Sequence, residues 1–116
     1  MDGQNTTQAI LKLWQQSLNE MVRRSGPDLS SRQMAIMLMV YLDEPPHTVR
    51  GIASQLNISK PAVTRALDAL GKMDLLRRKP DDKDKRSINV VRTVKGSVFL
   101  SEFSEIIEKS AWKNLT

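Results

Sequence analysis

Apolar positions recur at helical spacing along most of the chain, and one short stretch alternates every second residue instead. Ile10, Leu11, Trp14, Leu18, Met21 and Val22 step by threes and fours, which predicts a helix with one apolar face. Asn5, Thr6 or Thr7 can cap it and Ser25-Gly26-Pro27 stops it, so the helix is expected over 6–24. Leu29-Ser30-Ser31-Arg32-Gln33 opens a second helix. Ser30 and Gln33 have the spacing of a capping box, and Leu29 with Met34 that of a hydrophobic staple. Met34, Ile36, Met37, Leu38, Val40, Tyr41 and Leu42 are apolar nearly all round, so this helix is expected to be the most buried. Its three methionines suit an adaptable core or, alternatively, the wall of a ligand cavity. Asp43-Glu44-Pro45-Pro46 ends it, since neither proline can continue a helix.

His47 and Thr48 are then extended and can add a short third strand to a later hairpin; His47 reads as a loop or sheet-edge residue. Thr48 caps a short helix, Val49 to Leu56, with Ile52, Ala53 and Leu56 inward. Asn57 tolerates the left-handed conformation that reverses the chain, Ile58 plugs the turn, and Ser59 caps the next helix with Pro61 in its first turn. Ala53, Asn57 and Val63 have the spacing of a helix-turn-helix: a small residue at the crossing, a turn residue four on, and an apolar lock. Val63, Leu67 and Leu70, with Ala66, form the inner stripe of that helix; Ser59, Lys60, Ala62, Thr64, Arg65 and Asp68 form the opposite one. The helix runs to Lys72 or Met73, weakened by Gly71. Leu75 to Lys79 and Arg86 to Thr93 are the strands of a hairpin with its tip at 80–85, and period-two alternation puts Ile88 and Val90 on one face. Thr93 caps a final helix over 94–113, where Phe99, Phe103, Ile106 and Ser110 make one stripe, flanked by Leu100, Ile107 and Ala111. The predicted class is mainly α with a small antiparallel β-hairpin wing, a single winged helix-turn-helix domain over 1–116. Its helix-turn-helix and wing occupy 48–96, and the flanking helices serve pairing.

Charge sharpens this picture. The net charge is +5, but Thr48 to Gly96 holds twelve Lys/Arg against five acids, an excess of +7, while the remainder carries −2. A single segment holding all the excess favours a polyanionic partner over a merely solubilising surface. The 116 residues suffice for one small core. Without cysteine, disulfides and thiolate catalysis are excluded, and the lone His47 excludes a multi-histidine metal site. With no Gly-rich phosphate loop and no acid pair in an apolar setting, an enzyme is disfavoured, and no cofactor or metal is expected. The longest apolar run, Met34 to Leu42, has nine residues, too few to cross a bilayer. Met1-Asp2-Gly3-Gln4-Asn5 lacks signal-peptide character, so a cytoplasmic location is expected.

Three stretches together resemble the MarR family of winged-helix transcriptional regulators. Leu29-Ser30-x-x-Gln33 is similar to the start of the family's second helix. Ile52-Ala53-x-x-Leu56-Asn57-Ile58-Ser59-Lys60-Pro61-Ala62-Val63-Thr64-Arg65-x-Leu67-Asp68-x-Leu70 is similar to its helix-turn-helix. Asp84-x-Arg86-x-x-x-Val90-x-Arg92-Thr93-x-x-Gly96 is similar to its wing, with Arg92 where Leu is usual. The resemblance implies a prokaryotic, nucleoid-associated regulator that binds a palindrome in double-stranded DNA as a homodimer, with helix 59–72 in the major groove and wing 77–92 in the minor groove.

On that reading the helix dipole and free N–H groups at the start of 59–72 favour phosphate. Arg65 is the leading candidate, bidentate to guanine or on a phosphate, and Lys60 serves phosphate or guanine. Ser59, Pro61, Ala62 and Thr64 offer hydroxyls and apolar contact to thymine methyls, although Thr64 can instead bond back within its helix. Arg86 resembles the family arginine of the minor groove, held by Asp84. Asp81 and Asp82 should turn away from phosphate, toward Lys83 or Lys85. Arg50, Arg77 and Arg78 are second-rank phosphate candidates.

After Gly96 the chain runs for twenty residues, whereas the family usually continues from there through two helices that carry much of the dimer interface. Pairing is therefore expected to use the first helix with one terminal helix, through Trp14, Leu18, Met21, Phe99, Phe103, Ile106 and Ile107, or another arrangement. A small-molecule effector is compatible with the resemblance, but no residue is assigned to one. The competing class is a winged-helix protein-interaction module whose basic face meets an acidic protein. Small residues around Arg65 suit base edges, whereas such an interface would favour exposed aromatics.

Overall fold

The computed structural model describes residues 3–116, so the part of the signal-peptide reading that rests on Met1 and Asp2 falls outside the described residues. The elements run α1 (Gly3–Arg23), α2 (Ser31–Leu42), α3 (Val49–Leu56), α4 (Lys60–Lys72), β1 (Leu76–Pro80), β2 (Ile88–Arg92) and α5 (Val94–Leu115). They divide into two compact units, one of Leu29–Val98 and one of the residues up to Asp28 together with Phe99–Thr116.

The Leu29–Val98 unit is built on Ile36, Met37, Val40, Ile52, Val63, Leu67, Leu70 and Leu75, all essentially inaccessible to solvent. Each such side chain contributes roughly 1.5–3 kcal/mol by leaving water. Helix α2 starts at the predicted capping box: Ser30 Oγ accepts from the Gln33 N–H at 3.1 Å, and Gln33 Oε1 accepts from the Ser30 N–H at 2.9 Å. Met34, Met37 and Met39 are buried in the core, yet Leu38 and Leu42 are exposed. Within the Leu29–Val98 unit α2 is the most buried helix, as expected, with five of its twelve residues buried against five of thirteen in α4 and two of eight in α3. Helix α4 and β2 nevertheless cover only one side of it within this unit.

Helix α3 begins where Thr48 Oγ1 accepts from the Gly51 N–H at 3.0 Å. It ends at Asn57, whose φ of 54° and ψ of 47° are left-handed as predicted. Two backbone bonds close that turn, Ile58 N–H to Ala53 C=O at 3.1 Å and Asn57 N–H to Ser54 C=O at 3.3 Å, the Schellman pattern. Helix α4 finishes the same way around Asp74, at φ 58°, with Leu75 N–H on Leu70 C=O at 2.9 Å and Asp74 N–H on Gly71 C=O at 3.0 Å. The sequence reading anticipated the first reversal and missed the second, since Asp is a weaker left-handed signal than Asn or Gly.

The hairpin pairs Leu76 with Arg92 and Pro80 with Ile88, so the tip is 81–87: Pro80 joins the first strand, and Arg86 and Ser87, expected in the second, belong to the tip. Proline is tolerated there because the end of a strand in a two-stranded sheet does not need its N–H. The third strand reduces to a single bridge, Thr48 to Asn89, with the Val90 N–H donating to His47 C=O at 2.7 Å. Val90 is buried, but Ile88 is 47% exposed. Alternation assigned both to one face; Ile88 lies toward the tip, where the hairpin has left the core.

In the other unit α1 already begins at Gly3, so Asn5, Thr6 and Thr7 lie inside the helix instead of capping it. Such residues are near neutral in a helix and do not stop it. Ser17 and Met21 are buried, and α5 packs on this face. Ser110 Oγ donates to Leu13 C=O at 3.0 Å, Asn114 Nδ2 to Gln16 Oε1 at 2.8 Å, and Trp14 meets Phe103 edge-on at 6.5 Å between ring centres. Arg23 donates to Glu20 at 2.8 Å, and this hydrogen bond holds the Glu20 carboxyl below the usual carboxylate range.

Candidate nucleic-acid interface

Helix α4 takes its orientation from five residues, Ala62, Val63, Ala66, Leu67 and Leu70, all turned into the core. At about 3.6 residues per turn these span one continuous stripe, and Pro61, Thr64, Arg65, Asp68 and Lys72 fall opposite. Ala62 was expected on that outer stripe, but it is only 6% exposed. It stands one turn before Ala66 and so shares its inward direction, which removes it from any direct contact. Ser59, Lys60, Pro61 and Arg65 are exposed and Thr64 is half-buried. Ser59 Oγ is engaged as the cap, accepting from the Ala62 N–H at 3.2 Å.

At the hairpin tip Arg86 is 94% exposed in its side chain. Asp84 is its partner, though mainly through the backbone: Asp84 Oδ1 accepts the Arg86 N–H at 3.1 Å, while Arg86 Nε lies at 3.4 Å. The carboxylate thus shapes the turn and only loosely tethers the guanidinium. Asp81 behaves alike: it turns to Lys83, as expected, its Oδ1 accepting the backbone N–H of that residue at 2.8 Å. Arg50 and Arg77 are exposed. Arg78 is engaged, its Nη2 donating to Asp68 Oδ1 at 2.5 Å and bracing the first strand against α4. An exposed pair of this kind is worth about 0–1 kcal/mol, so Arg78 can exchange Asp68 for another anion at little cost. Sequence reasoning overlooked this brace, since partners ten residues apart on different elements leave no local signal.

Sequence reasoning also overlooked Tyr41. Its hydroxyl donates to Leu75 C=O at 2.8 Å and accepts from the Thr93 N–H at 3.0 Å, fastening both ends of the hairpin's base. Thr93 Oγ1 in turn accepts the Gly96 N–H at 2.9 Å as the cap of α5 and donates to Asp74 C=O at 2.7 Å. Arg92, at the end of β2, donates from Nε to Val40 C=O at 3.3 Å and lies over the Tyr41 ring at 5.7 Å.

The residues read as a pairing surface divide. Met21, Phe103 and Ile106 are buried inside the chain, Phe99 and Ile107 are half-buried, and Trp14 and Leu18 are exposed. Beside Trp14 and Leu18, Ile10, Leu11 and Val22 complete an open apolar stripe along α1. On α5, Trp112 and Leu115 are likewise exposed and line a groove of about 650 Å³. Among the described residues no helix is long and apolar enough to cross a membrane.

The fold recurs in solved regulators. Transcriptional regulator Tm0710 from Thermotoga maritima superimposes with a TM-score of 0.78 at 21% identity, over 93% of this chain and 73% of that one. YusO from Bacillus subtilis gives 0.75 at 22% identity, over 95% and 76%. S. aureus MepR in its DNA complex gives 0.70 at 22% identity, over 90% and 80%. No curated protein sequence matches the chain. The MarR family profile matches residues 29–88, more than half of the chain and including the complete helix-turn-helix. The chain belongs to the MarR family of winged helix-turn-helix transcriptional regulators.

Proposed function

We propose that this regulator reads a palindromic operator in double-stranded DNA as a homodimer, with α4 in the major groove and the hairpin tip in the minor groove. The observation that carries the reading is the outer face of α4. It presents Lys60, Pro61, Thr64 and Arg65 without a covering apolar residue, in the same compact unit as a hairpin whose Arg86 is open to solvent. Short side chains let a helix seat deeply in a groove, and a guanidinium at its centre matches the O6/N7 edge of guanine. A second guanidinium on a slender projection suits the narrow, electronegative minor groove. That S. aureus MepR has been solved with DNA on a similar fold is consistent with this use. Arg50, Lys60 and Arg77 then neutralise phosphates, and Asp84 shapes the turn that presents Arg86.

Footprinting of the native chain on a genomic site tests the reading. We expect two protected half-sites about one helical turn apart with dyad symmetry. Arg86→Ala should lower affinity at unchanged helix content and flatten the salt dependence by about one phosphate equivalent. Charge reversal across the basic face that left DNA binding intact would transfer the assignment to a protein-interaction module.

Pairing rests on the stripe of Ile10, Leu11, Trp14, Leu18 and Val22, an apolar surface that a solitary chain leaves in water. Sedimentation at micromolar concentration should show a dimer without DNA, and Leu18→Asp should convert it to monomer while weakening operator binding. A wild-type chain that sediments only as monomer refutes the dimer.

A further inference from the structure

We propose that Tyr41 and Arg92 are positioning residues that set the pitch of the hairpin, and through it the contribution of Arg86 to DNA binding. The inference rests on the reading of the hairpin as a DNA contact. Two strands alone are not a rigid support. Beside the His47–Val90 bond and the Arg78–Asp68 brace, this pair is held at its base, where four polar contacts converge on the last turn of α2. The Tyr41 hydroxyl has one proton, and the nearer acceptor is Leu75 C=O at 2.8 Å, with Thr93 C=O at 3.2 Å. Its lone pair takes the Thr93 N–H at 3.0 Å. One phenol therefore ties the residue before β1 to the residue after β2.

Arg92 adds the second tie. Val40 C=O is among the last carbonyls of α2, which no further helical N–H can reach. Arg92 Nε supplies that missing donor at 3.3 Å and brings positive charge to the negative end of the helix. Its guanidinium lies 5.7 Å from the centre of the Tyr41 ring, within cation–π range, so the two ties support one another. Because Arg92 pairs directly with Leu76, holding it holds both strands.

The consequence is one of leverage. Five strand residues at about 3.3 Å each give an arm of roughly 16 Å, so a tilt of about 10° at the base moves the tip by roughly 3 Å. A displacement of that size takes a guanidinium out of hydrogen-bonding range.

The test is a double-mutant cycle on operator affinity in the full chain. Tyr41→Phe keeps the ring and removes the hydroxyl; Arg92→Leu keeps bulk and removes the donor. Each alone should weaken binding about five- to tenfold, the loss of one positioned charge contact. In an Arg86→Ala background neither should cost anything further, because the residue they position is gone. Losses that add in full to that of Arg86→Ala, or single variants that bind like wild type, overturn the proposal while leaving the DNA reading intact. An Arg86→Ala variant of unchanged affinity instead removes the wing contact itself, and this proposal with it. Should Tyr41→Phe unfold by circular dichroism, the exposed Arg92 carries the same cycle through Arg92→Leu.

Discussion

Arg65→Ala is expected to weaken binding to a specific operator by about 1–3 kcal/mol, the worth of one good side-chain contact to a base pair. The residue stands on the outer face of α4 and forms no ion pair with a carboxylate of the described residues, so its guanidinium is available to a ligand. Alanine is at least as good a helix former as arginine, and the position is exposed, so the fold should be untouched. A gel-shift titration on the footprinted site reads the effect. Discrimination against a mutated half-site should fall together with affinity, which separates a base contact from a phosphate contact. If affinity is unchanged, α4 is not the reading helix.

Of alanine substitutions at Gly26, Gly51, Gly71 and Gly96, Gly96→Ala should be the most damaging. A Cβ at this position would overlap both Tyr41 Oη and the Leu75 carbonyl oxygen. The carbonyl is backbone, and the hydroxyl is held by its bond to Leu75 C=O and by the Thr93 N–H, so neither can yield without dismantling the base of the hairpin. Overpacking of this kind costs about 1–3 kcal/mol and occasionally more. For a chain of this length that lowers the melting temperature by roughly 4–12 °C. The sign is informative, because glycine to alanine inside an ordinary helix stabilises by about 1 kcal/mol. A melt at or above the wild-type temperature would show that α5 does not approach Tyr41 this closely.

The local features were the readable ones. Ser30 with Gln33, Thr48 before Val49, Asn57 in its turn, Ser59 before Lys60 and Thr93 before Val94 are each satisfied within a few residues, and each is found where the residues predicted it. Within the candidate site, Lys60, Pro61, Thr64 and Arg65 could be assigned to one face because a helix of known start has a fixed angular period. Ala62 was misassigned because a small apolar residue suits either face, and only the crossing of α3 and α4 decides which it takes. The wing's charge was legible as a cluster, whereas the Arg78–Asp68 brace was not.

By itself, then, the sequence determined the order of elements, the caps of the helices after the first, the turn at Asn57, the family, and the segment in which positive charge collects. These depend on interactions of short range along the chain or on composition, and packing does not need to be known to find them. The tertiary structure alone decided that Met21, Phe103 and Ile106 are consumed within one chain, while Ile10, Leu11, Trp14, Leu18 and Val22 remain open. Met21 lies on the same helix as the open residues, and burial is a property of the neighbour, which no period along one helix encodes. It also decided that Tyr41, placed among core residues by its position in an apolar run, spends its hydroxyl on Leu75 and Thr93, 34 and 52 residues away. A hydrogen bond across such a separation exists only once three elements have met.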